Sequence, residues 1–216
     1  MKKKSKIIIS VIFVFGIIFF GVYYALIPSK RINLEQGKLI SSEELLRDSF
    51  IDSFEVLKNP IRLQGKIAIS DEKFKNIVYT VMKKYDIEEL ENIYVDVNSN
   101  SIKVISPYKV LGFIDSQVQG NLYPSVVDNN LNIKVKDFKL GKIKINDKTV
   151  SEKLKSYEDK IPFIVKDGVI VVDKSYTYPI TLNDVTTKEK EIILDLQLEV
   201  ENFMDFVSKY QIKIKQ

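Results

Sequence analysis

The sequence predicts an α+β fold: an N-terminal transmembrane helix, then one domain in which a curved, mostly antiparallel sheet packs on an amphipathic helix. Residues 7–27 carry no charge, which is typical of a membrane span. Apolar residues recur at helical spacing between residues 74 and 85, and apolar and polar residues alternate in several later segments. Sequential strands joined by short links favour an antiparallel sheet over a doubly wound parallel one.

The first element is the uncharged segment 7–27. As a helix it would be roughly 32 Å long, which exceeds the hydrocarbon core of about 30 Å. Lysines dominate the six residues before it, and the positive-inside bias places that end in the cytoplasm. We therefore predict a single-pass protein of the cell membrane that contacts the lipid bilayer through residues 7–27, with an extracytoplasmic C-terminal part. A cleaved signal peptide is the alternative.

The predicted segments are a cytoplasmic tail (1–6), the transmembrane helix (7–27), a juxtamembrane connector (28–59) and one extracytoplasmic α+β domain (60–216). In the connector, Ser41 precedes acidic residues in a pattern typical of a helix start. Phe50, Phe54 and Leu57 extend an apolar face beyond it. The sequence leaves open whether the connector packs onto the domain or stands as a stalk.

One amphipathic helix is the clearest element within the predicted domain. Residues 61–69 alternate with the period of a strand, and Ser70 then offers an N-cap ahead of Asp71 and Glu72. The apolar residues that follow recur at the spacing that places them on one face of a helix. They are Phe74, Ile77, Val78, Val81, Met82 and Tyr85.

Strands dominate the rest of the predicted domain. Segments 93–97 and 102–104 flank a turn-forming run of Asn and Ser. Segment 108–127 carries apolar residues irregularly around Gly112 and Gly120. Glycines within strands often mark bulges or tight bends, so we predict a strongly curved strand or a broken pair there.

The later elements follow from alternation and turn chemistry. Residues 131–136 alternate regularly, and the pattern slips by one residue at Phe138. Thr149–Glu152 fits a capping box at the start of a short helix. Lys166–Gly168 predicts a hairpin turn, and alternation over 192–200 predicts a further strand.

Composition limits the chemistry that the chain can perform. The sequence contains no Cys and no His, which excludes disulfides, thiol nucleophiles, Cys-ligated zinc and His-based triads. Beyond the lysine-rich tail the acidic and basic residues balance, so charge gives no argument for nucleic-acid binding. We therefore predict a non-catalytic protein without cofactor, metal or nucleic-acid partner.

Two patterns admit a functional interpretation beside a plain one. Several aspartates could supply a glycosidase-like acid and base, but their neighbours favour turns or a solvated face: Asp115, Asp128, Asp137, Asp147 and Asp167. Five lysines could form a basic stripe that attracts anionic lipid head groups, but the solvent face of a strand is the simpler interpretation: Lys134, Lys136, Lys139, Lys142 and Lys144.

Three segments resemble the YpmS-like family of membrane-anchored bacterial envelope proteins. They are the alternating strand and Gly-Lys-Ile of 131–145, the Ile161-Pro162-Phe163 that follows a short helix, and the helix entry at 67–74. The resemblance covers roughly residues 60–175 and implies an envelope protein without catalytic residues. More distantly, a curved sheet on a long helix is similar to the LmeA-like and tubular lipid-binding proteins, which implies lipid binding.

These observations lead to a hypothesis and two rivals. The hypothesis is that an extracytoplasmic domain binds a lipid or another apolar envelope molecule in a groove formed by Phe74, Ile77, Val78, Val81, Met82 and Tyr85. The first rival is a structural or interaction module that docks on other envelope proteins through an exposed patch or sheet edge. The second is an enzyme that acts on wall polymers through carboxylates.

Overall fold

The structure is a computed structural model, and it describes residues 3–32, 34–41, 44, 54–58, 61–87, 91–161 and 163–199. Three α-helices lie in these residues: α1 (Lys3–Leu26), α2 (Asp71–Lys84) and α3 (Asp147–Lys155). In α1 the side chains are described from Phe13 onward. A short 3₁₀-helix spans Lys174–Tyr176. Phe50 of the predicted connector face lies outside the described residues.

The described strands form two antiparallel sheets. In chain order they are β1 (Glu35–Gln36), β2 (Phe54–Lys58), β3 (Ile61–Ser70), β4 (Asn92–Asn98), β5 (Ser101–Val110), β6 (Ile114–Val127), β7 (Asn130–Leu140), β8 (Ile143–Lys144), β9 (Ile164–Lys166), β10 (Val169–Val172), β11 (Ile180–Lys188) and β12 (Glu191–Glu199). The larger sheet has the order β1-β4-β5-β6-β7-β10-β9, with β8 paired to β7. The smaller sheet has the order β11-β12-β3-β2.

The predicted fold class needs correction. We predicted an α+β protein with a transmembrane helix, whereas the described chain is mostly antiparallel sheet, with about half of its residues in strands and a quarter in helices. The physical reason is that strand segments such as β2 and β11 lack the regular alternation by which the others were predicted. Helical periodicity is easier to see in a sequence than short or bulged strands are.

The transmembrane prediction for residues 7–27 is also wrong. Within the residues that the structure describes, no helix has both the length and the apolar character needed to cross a membrane. The end of this helix packs onto the folded domain: the Leu26 side chain is 6% exposed, and its carbonyl accepts a hydrogen bond from the Ser116 hydroxyl. The predicted single-pass localisation, with a cytoplasmic N-terminus and an extracytoplasmic domain, rested on that span and is corrected with it.

The two sheets pack face to face around one hydrophobic cluster. The larger sheet contributes Ile93 and Val97, which are 1% and 0% exposed. The smaller sheet contributes Ile67, Leu182 and Ile192, all buried. Alternate side chains of both sheets therefore face the same interior, as in a β-sandwich.

Helix α2 contacts both ends of the larger sheet. At one edge, the Gln36 amide on β1 donates a hydrogen bond to the Tyr79 hydroxyl at 3.1 Å. Toward the other edge, Ile161, which precedes β9, packs in one cluster with Met82. Helix α2 therefore lies beside both edge regions of the larger sheet.

A β-bulge between β6 and β7 confirms the slip predicted at Phe138. The register shifts between Gln119 and Asn121, and Asp137 on the facing strand has a positive φ of 54°. A Cβ on Gly120 would lie 3.2 Å from the Phe138 ring, so glycine leaves room for that side chain at the bulge. The extra residue restores the alternation of the strand beyond this point.

Two helix starts were predicted within residues 60–216, and one of them is correct. The Ser70 hydroxyl accepts a hydrogen bond from the Lys73 amide at 3.2 Å, which confirms the predicted N-cap of α2. The capping box at Thr149 is wrong, because α3 begins earlier. The Asn146 side chain accepts from the Thr149 amide at 2.8 Å, and asparagine caps a helix as well as a hydroxyl residue does.

Described parts of the predicted connector pack onto the sheets and helix α2. Phe54 and Leu57, predicted on a helical face, lie instead in β2, which pairs with β3. The Lys38 amide donates to the Asn76 side chain of α2 at 2.8 Å. These contacts answer the question that the sequence left open: where the connector is described, it belongs to the folded body.

Lys190 ties the turn between β11 and β12 to two other elements. Its ammonium group contacts the carboxylates of Asp96, at the end of β4, and Asp71, at the start of α2. Its backbone amide donates to the Val97 carbonyl at 2.9 Å. The hydrogen bond to Asp96 is the main cause that raises the pKa of Lys190 above its ordinary value.

We expect Lys190→Gln to lower the melting temperature by at most a few degrees at pH 7, because the contacts are exposed to solvent and screened. A raised pKa in the folded state means that the stabilisation is present below about pH 10.4 and is lost as the pH rises through the raised value. Thermal unfolding should therefore separate wild type and variant at pH 7, and the difference should shrink as the pH rises through the raised pKa of Lys190. Lys188→Gln, on the exposed end of β11, is the control. A difference that persists at high pH would contradict this account.

Candidate functional site

The predicted groove residues of α2 lie against the interior of the domain. Three of them, Phe74, Ile77 and Val78, pack against the main cluster between the sheets. Val78 also joins a second cluster around Ile87 and Ile161, together with the remaining members of the stripe: Val81, Met82 and Tyr85. The structure thus gives all six a packing role, and an open groove along them stays a prediction.

A different surface of the described chain combines a cleft with charge. The segment after α1 runs past the hairpin formed by β5 and β6, and the space between them is about 240 Å³. The chain lines it with Pro28, Arg31, Ile32, Pro107, Tyr108, Lys109, Asp115, Ser116 and Gln117. None of the six predicted groove residues is among them.

The segment that follows α1 forms one wall of this cleft, and the domain caps the helix end from which that segment starts. The last carbonyls of a helix have no partner within the helix. Here the Ser116 hydroxyl on β6 donates to the Leu26 carbonyl at 2.5 Å, and the Lys142 amide donates to the Ala25 carbonyl at 2.9 Å. The Leu26 side chain is buried, and the Lys142 ammonium lies 3.2 Å from the centre of the Tyr24 ring. These contacts fix the helix end on the sheet.

Gly141 makes this close approach possible. It lies in the turn between β7 and β8 with a φ of +59°, and its amide donates to the Gln117 carbonyl at 2.8 Å. A Cβ at this position would lie 2.1 Å from the Leu26 carbonyl oxygen, which is far inside van der Waals contact. The helix end can therefore reach the sheet only because residue 141 has no side chain.

The charges of the cleft differ in how they are paired. Lys109 and Asp115 face each other across the hairpin at 4.0 Å, and both side chains are 71% exposed, so the pair is weak. The exposed guanidinium of Arg31 has no ion pair or hydrogen bond within the described residues. Because guanidinium groups bind carboxylates and phosphates through two parallel hydrogen bonds, Arg31 is the group here that is best suited to an anion.

Apolar side chains continue from the cleft to the tip of the same hairpin. Tyr108 lines the cleft and is 42% exposed. Leu111 and Phe113, in the turn that joins β5 to β6, are 80% and 64% exposed. Positive charge in a cleft therefore lies next to exposed apolar surface, an arrangement that suits a molecule with an anionic end and an apolar end.

The described residues offer no other obvious chemistry. They contain no group of three or more acidic residues placed to hold a metal ion. The aspartates considered for acid–base catalysis lie on separate elements, with Asp115 in β6 and Asp147 at the start of α3. The other three have a left-handed backbone: Asp128, Asp137 and Asp167. Of the basic stripe, Lys134, Lys136 and Lys144 are exposed, and Lys139 and Lys142 are half-buried. The Lys136 ammonium lies over the Tyr123 ring at 5.3 Å.

Sequence reasoning missed this cleft. Segment 108–127 contains Leu111 and Phe113 only among irregularly spaced apolar residues, and no sequence pattern singles out Arg31. One signal was present in the sequence, since Gly112 between two large apolar residues fits a turn that exposes both of them. No local pattern in the sequence indicates that residues 28–32 lie near residues 107–117.

Comparisons with protein-family models, with curated proteins and with solved structures found no match. The resemblance to the YpmS-like family and the more distant likeness to lipid-binding proteins therefore stay predictions, and function rests on the geometry of the chain itself.

Proposed function

We propose that this protein is a non-catalytic binding protein for an anionic amphipathic molecule such as an anionic lipid. The observation that carries the proposal is the cleft in which Arg31, which has no ion pair or hydrogen bond to the residues that the structure describes, lies beside the exposed apolar end of the β5–β6 hairpin. Arg31 binds the anionic group, and Tyr108 and the hairpin tip contact the apolar part.

The size of the cleft determines what can enter it. Sites that enclose a drug-sized ligand measure about 300–1,000 Å³. At about 240 Å³ the cleft holds a head group or a short segment, and the apolar remainder lies outside it along the hairpin. The proposed binding mode is therefore partial capture of the ligand at the surface, which differs from the buried groove predicted from α2.

The hydrogen bonds of the cleft wall give it a defined shape before any ligand binds. Ser116 is 5% exposed and is committed to the Leu26 carbonyl. The Gln117 amide donates to the Ile32 carbonyl at 3.4 Å, which holds the segment after Arg31 against β6. A preformed wall lowers the conformational entropy that binding would otherwise cost.

The test is titration calorimetry of the full chain with dihexanoyl phosphatidylglycerol below its micellar concentration. We expect Arg31→Gln to weaken binding about tenfold or more, because a charge-assisted hydrogen bond contributes roughly 1.5–3 kcal/mol. Lys188→Gln is the matched control, since its turn lies next to Val97, at the end of β4 and β5 remote from the cleft. Dihexanoyl phosphatidylcholine should bind more weakly to the wild type and should not distinguish the variants.

Equal affinity of the wild type and Arg31→Gln for the anionic lipid would overturn the proposal. So would the absence of measurable binding to the wild type. Any adsorption to the exposed side chains of α1 is common to all variants and cancels in the comparison.

A further inference from the structure

The tip of the β5–β6 hairpin places two large apolar side chains in solvent. β5 and β6 pair up to Val110 and Ile114, and the turn between them contains Leu111, Gly112 and Phe113. Leu111 is 80% exposed and Phe113 is 64% exposed. Nothing lies within 4 Å of a Cβ built on Gly112, so the turn projects into open space.

The backbone at this tip adds a second, independent observation. Leu111 has a φ of 52°, a left-handed conformation that is unfavourable for a large apolar residue and that Asn or Asp accommodate more easily. The other left-handed residues of the described chain that are not glycine are all polar: Asp86, Asp128, Asn129, Asp137, Asp167 and Lys190. Leu111 is the one apolar residue in this set, and neither packing nor backbone preference explains it there.

The two ends of β6 differ in the charge and polarity of their residues, and this difference distinguishes the hairpin tip from the opposite end of the strand. The cleft end carries Lys109, 71% exposed, and Arg31 across the cleft. The far end carries one exposed apolar residue, Val127, followed by the polar Asp128 and Asn129. Apolar side chains flanked by cations match a surface of anionic head groups over an apolar interior.

We propose that the turn Leu111–Phe113 inserts into an anionic lipid surface and brings the cleft to the head groups there. The inference rests on the proposed function and deepens it, because it names the source of the ligand as a lipid surface. Lys109 and Asp115, which line the cleft, are paired across the hairpin, and each lies two residues along its strand from Leu111 or Phe113. Insertion of Leu111 and Phe113 therefore places the Arg31 cleft roughly 7 Å below them.

The test uses the absence of tryptophan from the chain. In Phe113→Trp of the full chain, the introduced indole is the only one, and it reports the polarity at the tip. We expect its emission to shift to shorter wavelength on vesicles of phosphatidylcholine and phosphatidylglycerol, and to be quenched by brominated lipid. Val127→Trp, at the opposite end of β6, is the matched control and should show neither change. A position-specific signal is needed because exposed α1 side chains could bring any variant to a vesicle.

A second variant separates a role in insertion from a role in folding. Leu111→Asn, made in the Phe113→Trp chain, places a residue that tolerates left-handed backbone at an exposed position. We expect it to preserve or raise the melting temperature. We also expect it to weaken partition of the protein onto vesicles, as reported by the indole, about tenfold, because no leucine side chain is then transferred from water to lipid. Opposite changes in stability and partition would not arise from a merely structural role.

The proposal is overturned if Phe113→Trp behaves as Val127→Trp does on anionic vesicles, or if Leu111→Asn leaves the partition unchanged. Titration with the short-chain lipid reports on the cleft alone, because that lipid forms no surface under those conditions. Arg31-dependent binding without insertion of the tip would therefore refute this inference and leave the proposed function intact.

Discussion

Replacement of Gly141 by alanine is expected to weaken binding of the short-chain anionic lipid at least tenfold. The new Cβ would lie 2.1 Å from the Leu26 carbonyl oxygen, so the end of α1 must move away from the sheet. The segment that carries Arg31 follows directly after that helix end and forms one wall of the cleft. A displacement of about 1 Å or more would separate the guanidinium from the tyrosine and lysine on the hairpin, and misplacement of that size costs much of a positioned interaction.

The control for Gly141→Ala is Gly168→Ala. Gly168 also has a positive φ, of +75°, but a Cβ there would meet nothing within 4 Å. Both variants therefore introduce the same left-handed strain, of about 1–2 kcal/mol, and only the first one introduces the collision.

Hydrogen exchange locates the expected effect of Gly141→Ala. Exchange of the Lys142 amide, which donates to the Ala25 carbonyl, should become faster in Gly141→Ala and stay slow in Gly168→Ala. Equal lipid affinity in Gly141→Ala and Gly168→Ala would show that the helix end does not hold the cleft wall in place.

Truncation of Ile93 to alanine is expected to lower the free energy of unfolding by about 3 kcal/mol. Ile93 is 1% exposed and lies in β4, where it packs in the cluster shared by both sheets. Removal of three buried carbons loses apolar burial and leaves a cavity that the surrounding strands cannot close. Because domains of this size have a total stability of roughly 5–15 kcal/mol, the midpoint of urea unfolding should fall well below that of the wild type.

Ile164→Ala is the matched control for this truncation. The same side chain is 62% exposed there, on the three-residue edge strand β9. We expect a change below about 0.5 kcal/mol, since surface substitutions outside special contacts are close to neutral. Similar losses at both positions would mean that the two sheets do not share the core described here.

The features that the sequence could predict are those with a strong local pattern. The apolar spacing from Phe74 to Tyr85 predicts α2 because one face of that helix must be buried. Ser70 predicts its start because a hydroxyl can satisfy the free amide of Lys73. The slip at Phe138 predicts a bulge because alternation is strict in a strand that is buried on one side.

Other features depend on partners that are distant in the chain. β2 is predicted as helix because five residues carry too little periodicity, and pairing with β3 decides the outcome. The segment of β11 contains a bulge between Leu182 and Asp184, which hides its alternation. The cleft joins residues 28–32 with residues 107–117, and no local rule brings these together. The transmembrane prediction used only residues 1–27 and their local pattern, and could not anticipate that Leu26 packs against the sheet.

The capped end of α1 makes the helix and the cleft parts of one thermodynamic cycle. Ser116 donates to the helix and also lines the cleft, so the position of the helix and the shape of the cleft cannot change independently. Thermodynamic linkage then requires that binding at the helix and binding in the cleft change each other's affinity by the same factor. A molecule that binds α1 more tightly when the cleft is filled must raise the affinity of the cleft by the same factor. The contacts of Ser116 and Lys142 with the helix end therefore couple any movement of the helix to the shape of the cleft.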